Sequence, residues 1–237
     1  MLNIAVCNPT ELWYKLGEEF LLEFNRTVTF NLGGRRFVSL ENQLYTEWPK
    51  EWKGDALFEL VGYSDRGPKM RIIRESYLDE EKWHEFKWKA GEVRKKGYSL
   101  IGMQFKMKMD TKGGCLTSFH LLQEKKRNIV FIHGKVAEVP RKFMADLILV
   151  RNMLRELDLW PMEVYFLYST MYFSIVTLRN YATVFPKGYF ASTKKLDLFS
   201  FRGDYRRKAI EESNRLLKKY PNGSASNLIN VKTGEWE

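Results

Sequence analysis

Met103, Phe105, Met107 and Met109 alternate with Gln104, Lys106, Lys108 and Asp110. A period of two sends one set to each face of an extended strand, so this stretch commits the chain to a sheet with a buried side. Gly113-Gly114 then turns the chain, and residues 115–122 continue as strand. Residues 128–133, rich in Val and Ile, read as a third strand. The pattern changes after Pro140. Phe143, Leu147, Val150 and Leu154 form one helical stripe, broadened by Ile148 and Leu149, in a helix reaching about Leu157. Residues 164–177 return to an aromatic, strand-like pattern. The expected fold class is mixed α/β (α+β), a mixed sheet with flanking helices.

The N-terminal third is less regular. Asn8-Pro9-Thr10-Glu11 has the order of a helix start: a capping side chain, a proline in the first turn and an acid near the positive end of the dipole. Leu12, Trp13, Leu16, Phe20 and Phe24 follow at helical spacing. Residues 27–47 read as strand and turn about Gly33-Gly34, and residues 53–61 as a short helix. Residues 79–96 read as a longer helix with Trp83, Phe86 and Val93 inward. A polar amphipathic helix is expected over 204–219, and the tail 221–237 reads as irregular. No repeat, linker or low-complexity tract divides the chain, so residues 1–237 are expected to form a single domain. With 44% hydrophobic residues it can bury a sizeable core.

Thirty-nine basic residues against 29 acidic ones give a formal charge of +10, which favours anionic partners without choosing among nucleic acid, headgroups and phosphorylated small molecules. The first residues lack the basic region of a signal peptide, and no stretch approaches the ~20 apolar residues of a membrane span. No membrane association is expected, and the cytoplasm is the expected compartment. Cys7 and Cys115 make no disulfide framework or metal motif, and His84, His120 and His133 lack metal-ligand spacing.

Two residues stand out chemically. Cys115 follows two glycines at the start of a strand, where a ligand can approach closely. A small buried hydrophobe is the commoner role of a free cysteine; nearby cations would make it a nucleophile. Asp146 lies beside the apolar stripe of its helix. A carboxylate there is paired, protonated or used, and Lys142, four residues earlier, offers an ordinary ion pair at the rim. Lys95-Lys96, Lys135 and Tyr168 complete the set that matters by relative position.

Taken together, Lys95-Lys96, Cys115, Lys135, Glu138, Asp146 and Tyr168 resemble the thymidylate synthase family, which includes the pyrimidine hydroxymethylases. Lys95-Lys96 stands where that family has an Arg-Arg pair, and Gly113-Gly114-Cys115 takes the nucleophile position. His133-Gly134-Lys135-Val136-Ala137-Glu138 matches Gln-Arg-Ser-x-Asp, with Lys135 at the phosphate arginine and Glu138 at the Asp. Phe143-Met144-Ala145-Asp146 matches the Phe-Asn segment, and Phe166-Leu167-Tyr168-Ser169 matches His-x-Tyr-Ser. The likeness covers residues 95–172. Upstream, the family's mobile phosphate arginine falls on Arg26 or Arg35-Arg36, and its catalytic glutamate on Asp55 or Glu59. Departures are several: lysine loses the bidentate fork of arginine, Leu116 stands for His, His120 for Gln and Phe166 for His.

The resemblance implies a homodimer acting on a pyrimidine nucleoside monophosphate with 5,10-methylenetetrahydrofolate. Cys115 would add to C6 of the base, activated by cations such as Lys135. Lys135, with Lys95-Lys96 from a partner subunit, would hold the phosphate, and Tyr168 the sugar hydroxyl. Asp146 would read the base. A protonated carboxyl offers one donor and one acceptor, which suits the reversed edge of cytosine better than that of uracil. The leading expectation is therefore hydroxymethylation of a cytidylate at C5, with thymidylate- or uridylate-type chemistry as the alternative. A further alternative is an inactive scaffold or a nucleic-acid-binding protein, drawing on Arg206, Arg207, Arg215, Lys218 and Lys219.

Overall fold

The computed structural model describes residues 2–22, 28–32, 35–60, 68–94, 98–106, 115–124, 127–139, 141–160, 162–174, 211, 218, 230 and 232–235. The strands are β1 (Leu2–Val6), β2 (Val28–Leu32), β3 (Arg35–Trp48), β4 (Tyr98–Gln104), β5 (Leu116–Glu124), β6 (Arg127–Glu138) and β7 (Met162–Ser174). The helices are α1 (Pro9–Leu22), α2 (Asp55–Leu60), α3 (Pro68–Tyr77), α4 (Glu80–Arg94) and α5 (Arg141–Leu157). All seven strands join one mixed sheet in the order β1-β3-β7-β6-β5-β4, with β2 paired to β3 outside that path. The expected mixed α/β class is what the chain adopts.

The sheet is mixed because its connections differ. β4, β5 and β6 follow one another antiparallel, whereas β6 and β7 are parallel and are joined through α5. A parallel pair needs such a crossover, and the helix must pack back on the sheet it leaves. Alternation assigns the faces. Met162, Val164, Phe166 and Tyr168 of β7 are buried, while Glu163, Tyr165 and Leu167 between them are only half-buried. Across the register, Leu44, Phe166 and Ile132 make one buried row, and Thr46, Val164 and Val130 the next. Phe143, Leu147, Val150 and Leu154 of α5 close over these rows together with Leu12, Trp13 and Leu16 of α1 and Trp83 and Phe86 of α4.

Local chemistry accounts for the helix starts. Asn8 Oδ1 accepts from the Glu11 amide at 2.9 Å, and Glu11 Oε2 accepts from the Cys7 amide at 3.1 Å, a reciprocal cap. At α2 the cap comes from far along the chain. The Thr233 carbonyl accepts from the amides of Lys53 and Gly54 at 2.8 and 2.9 Å, and the Gly234 carbonyl accepts from Ala56 at 3.0 Å. Gly54 has φ +73°, and a Cβ on it would lie 2.4 Å from the Trp52 ring; one on Gly234 would lie 2.5 Å from Gly54 Cα. Two glycines in face-to-face contact let the late segment reach the helix amides.

The sequence reading differs in detail. The strand pattern over 103–109 is realised as Tyr98–Gln104, and residues 107–114 lie outside the described residues. β1 and α3 were not anticipated. β1 is a short apolar run that pairs in parallel with β3, and α3 buries Tyr77 and packs Ile73 on the core from within a strongly charged segment, with Ile72 exposed. The helix expected over 204–219 falls outside the described residues except at 211 and 218, and most of the 221–237 tail does too. No helix among the described residues is long and apolar enough to cross a membrane.

Candidate active site

Cys115 sits immediately before β5, where the pairing of β5 with β6 shifts register between Leu116 and Ser118. That bulge lets Leu116 and Phe119, three residues apart, both face the core, and it re-aims the backbone just beside Cys115. Both backbone groups of Cys115 are held. Its amide donates to the Tyr77 hydroxyl at 2.7 Å, and its carbonyl accepts from the Lys135 amide at 2.7 Å. Tyr77 closes α3 and is itself fixed, since its carbonyl accepts from the Lys106 amide at 2.8 Å and its ring meets Phe105 edge-on at 5.9 Å.

Gly134 is the second fixed point. It pairs with Tyr168 on one side and Leu116 on the other. A Cβ there would lie 2.4 Å from the Tyr168 ring and 3.3 Å from the Cys115 carbonyl oxygen, so the missing side chain is what lets the tyrosine lie over β6. The Tyr168 hydroxyl then reaches α5 and donates to Asp146 Oδ2 at 2.8 Å. Asp146 is 4% exposed. Burial pushes its carboxyl up to about 7, against the opposing pull of the Tyr168 hydrogen bond and of Lys142. A carboxyl with that value exchanges its proton near neutrality and can donate as well as accept.

The thiol does not behave as the sequence reading expected. Cations such as Lys135 were to lower its pKa; burial instead pushes it up to about 11, and the negative charges of Asp146 and Glu138 add to that. Lys142 and a hydrogen bond from Tyr77 work in the other direction without prevailing. Lys135 is exposed and meets Cys115 through its backbone amide. The expected rim partner of Asp146, Lys142, is ion-paired instead with Glu138, at 3.4 Å between the first turn of α5 and the end of β6. Its ammonium is held above the usual value: desolvation works against it, and Glu138 and Tyr172 outweigh that.

The structure thus brings together Cys115, Glu138, Asp146 and Tyr168, adding Tyr77, Lys142 and Tyr172. It separates others. Asp55 heads α2, where it pairs with the buried Arg151 at 3.0 Å. Arg151 lies five residues beyond Asp146, about 7.5 Å farther along the helix axis. Glu59 lies within α2 and Arg35 opens β3, and their side chains fall outside the description. Lys95, Lys96 and Arg26 lie outside the described residues. His120 is on the opposite face of the sheet from the helices, laid over Gly102 and edge-on to His133 at 5.4 Å. Burial and His133 both lower its pKa.

Tyr77 was missed because nothing in its neighbourhood marks it. It ends a charged segment, and only the packing of α3 on α5 and of Tyr77 on Phe105, just beyond β4, brings its hydroxyl to Cys115. No protein-family model matches the chain, and no curated protein sequence matches it.

Proposed function

We propose that the protein transfers a one-carbon unit to C5 of a pyrimidine nucleoside monophosphate, most readily a cytidylate, with Cys115 as nucleophile. The observation that carries this reading is the grouping of a thiol, a carboxyl poised near neutrality and a buried phenol within one site. The three are linked by the Cys115–Tyr77 and Tyr168–Asp146 hydrogen bonds and by Gly134 between them.

The chemistry fits these groups. Thiolate attack at C6 forms a C–S bond and moves the C5=C6 electron pair onto C5, which becomes the nucleophile. The thiol proton leaves to solvent, and the Tyr77 hydroxyl, already an acceptor for the Cys115 amide, is placed to donate a hydrogen bond to the thiolate. A protonated Asp146 matches N3 and the 4-amino group of cytosine, and an ionised one matches neither edge fully. C5 would take the one-carbon unit and give up its proton to solvent, water would complete the hydroxymethyl group, and expulsion of the thiolate would then restore the C5=C6 bond and regenerate Cys115. In this reading 5,10-methylenetetrahydrofolate supplies the one-carbon unit, with Lys135 and Lys142 at the rim suited to anionic groups. With a thiol near 11, Cys115 is a resting thiol in the free protein, and substrate binding has to assist its ionisation.

The dimer belongs to the same proposal. On the face away from the helices, Tyr45 lies 4.8 Å from Tyr165, Phe131 stacks on Tyr165 at 5.3 Å, and Leu100 is 63% exposed. An apolar, aromatic sheet face of this kind supports self-association. A cytoplasmic setting suits a nucleotide substrate.

The test is intact-mass spectrometry after incubation with methylenetetrahydrofolate and either 5-fluorodeoxycytidylate or 5-fluorodeoxyuridylate. Fluorine blocks loss from C5, so the working enzyme is trapped as a ternary adduct that Cys115→Ala abolishes. The base that gives the adduct decides the Asp146 assignment. No adduct with either base from folded protein would overturn the transferase reading. The raised thiol favours a second reading, a non-enzymatic basic protein that binds nucleic acid; steeply salt-dependent oligonucleotide binding without any adduct would support it.

A further inference from the structure

At the end of the sheet remote from Cys115, the register sets two acids against each other. Glu47 of β3 pairs directly with Glu163 of β7, and like charges so placed repel. Arg127, at the start of β6, relieves one of them: its Nε and Nη2 donate to the two oxygens of Glu163 at 2.8 and 2.9 Å. Lys50, just beyond β3, turns instead to Asp158 at 3.0 Å. Glu47 and Glu51 are exposed and have no ion pair among the described residues. A chain with a formal charge of +10 therefore keeps two uncompensated acids in one place.

Both acids line a cavity of about 580 Å³, a size that holds a small ligand. Trp48, Pro49, Trp160 and Met162 form its apolar wall. Trp48 and Met162 are buried neighbours across β3 and β7, and Trp160 packs on the core while only half-buried. The Trp48 side chain is 1% exposed, and its indole N–H has no acceptor among the described residues. Native proteins leave few buried donors unpaired, so one belonging to a cavity wall marks a place for an occupant's acceptor. Indoles attract organic cations through the ring quadrupole, and unpaired carboxylates add to that attraction. We propose that this cavity binds a small organic ammonium ion carrying an oxygen acceptor, with Trp48 and Trp160 against its body and Glu47 and Glu51 toward its charge. The anion that the overall charge would suggest is disfavoured here, because Arg127 and Lys50 are already taken by Glu163 and Asp158. Tyr168 lies six residues beyond Met162 along β7, about 20 Å away, so the site stands apart from the Cys115 cluster and from its reading.

The experiment is saturation-transfer NMR on the whole chain, titrated with choline, whose trimethylammonium and hydroxyl supply both features. The comparators are its neutral isostere, with carbon in place of nitrogen, and tetramethylammonium, which lacks the oxygen. Choline binds, and the isostere binds at least about five-fold more weakly. Tetramethylammonium binds about two- to ten-fold more weakly than choline. Glu47→Gln and Glu51→Gln each weaken choline binding about five-fold, and because both acids are exposed the variants keep the fold. Trp160→Leu weakens it about two- to thirty-fold. Glu85→Gln, at an exposed acid of α4 outside the cavity, leaves it unchanged. Choline that binds no tighter than its isostere, or that ignores both Glu47→Gln and Trp160→Leu, overturns the proposal. Tetramethylammonium as tight as choline overturns the assignment of an acceptor to Trp48. A silent choline titration also overturns the proposal; a shift from dimer to monomer in Glu47→Gln would then identify the occupant as a basic side chain of a second copy.

Discussion

The Tyr168 hydroxyl donates to Asp146 Oδ2 at 2.8 Å, and both side chains are buried. This bond opposes the burial that raises the Asp146 carboxyl to about 7. In the unfolded chain the same carboxyl titrates near 3.9. A folded pKa above the unfolded one means that the associated stability is fully present below pH ~4 and is lost as pH rises toward 7. The gap of about three units corresponds to roughly 4 kcal/mol. Asp146→Asn removes the charge and with it this loss. Chemical denaturation should find the variant's stability flat between about pH 5 and pH 8 where that of the parent declines. Parallel declines would show that Asp146 does not titrate in that window.

Tyr168→Phe leaves one oxygen of a buried carboxyl without its donor, at a cost of about 1–3 kcal/mol. It also removes an interaction that lowers the Asp146 pKa, so the decline in stability still begins near pH ~4 but continues to a higher pH before it levels off. A thermal-melt series against pH reads both effects, and an unchanged transition pH would mean that the hydrogen bond does not tune the acid.

Gly134→Ala places a methyl 2.4 Å from the Tyr168 ring. The ring is stacked on Phe166 at 6.4 Å and edge-on to Phe143 at 5.9 Å, so it has little room to retreat. Overpacking of this kind costs about 1–3 kcal/mol. The variant is expected to melt earlier and to show altered Cys115 alkylation, because the Cys115 carbonyl lies 3.3 Å from the same methyl.

Glu156 receives Arg74, Lys87 and the Trp83 indole. Burial alone would raise its carboxyl; the hydrogen bonds from Arg74, Trp83 and Lys87 prevail and hold it at about 2. A depressed carboxyl contributes stability that is present above the unfolded value of about 4.3 and is lost as pH falls toward 2. With partial exposure taken into account, Glu156→Gln should lower stability at neutral pH by about 1–3 kcal/mol and make the decline between about pH 5 and pH 3 shallower. Urea titrations at those values decide it.

If the helix-free face mediates self-association, Leu100→Asp should convert the dimer to monomer, as read by sedimentation velocity. Leu100 is already 63% exposed in the single chain, so the change should leave monomer stability within about 0.5 kcal/mol. A parent that sediments as a monomer removes the dimer from the proposed function.

Periodicity carried the strands and the long helix. β5, β6, α5 and β7 show their alternation or stripe in the sequence because each buries one face against the same layer. α3 and β1 are harder to see, since Ile73 and Tyr77 of α3 are set among charged residues and β1 is defined by its partner. Cys115 and Asp146 could be singled out from residue type and spacing. Their electrostatics could not, because the thiol's environment comes from Tyr77 in α3, Glu138 at the end of β6 and Lys142 in α5, which only the folded backbone assembles. Lys135 illustrates the gap: its sequence position beside Gly134 is correct for contact with Cys115, but the contact is made by its amide and not by its charge.

The carbonyls of Thr233 and Gly234 accept from amides at the start of α2, about three quarters of the chain length earlier in the sequence. During synthesis, the stretch around Lys53 leaves the ribosome long before its partners exist. At about 5–20 residues per second, roughly ten to thirty-five seconds pass before they are made. Through that interval the amides of Lys53, Gly54 and Ala56 have only water or a chaperone to meet. Nascent chains stalled short of residue 233 should therefore be nicked by protease near this point, and completed ones should not.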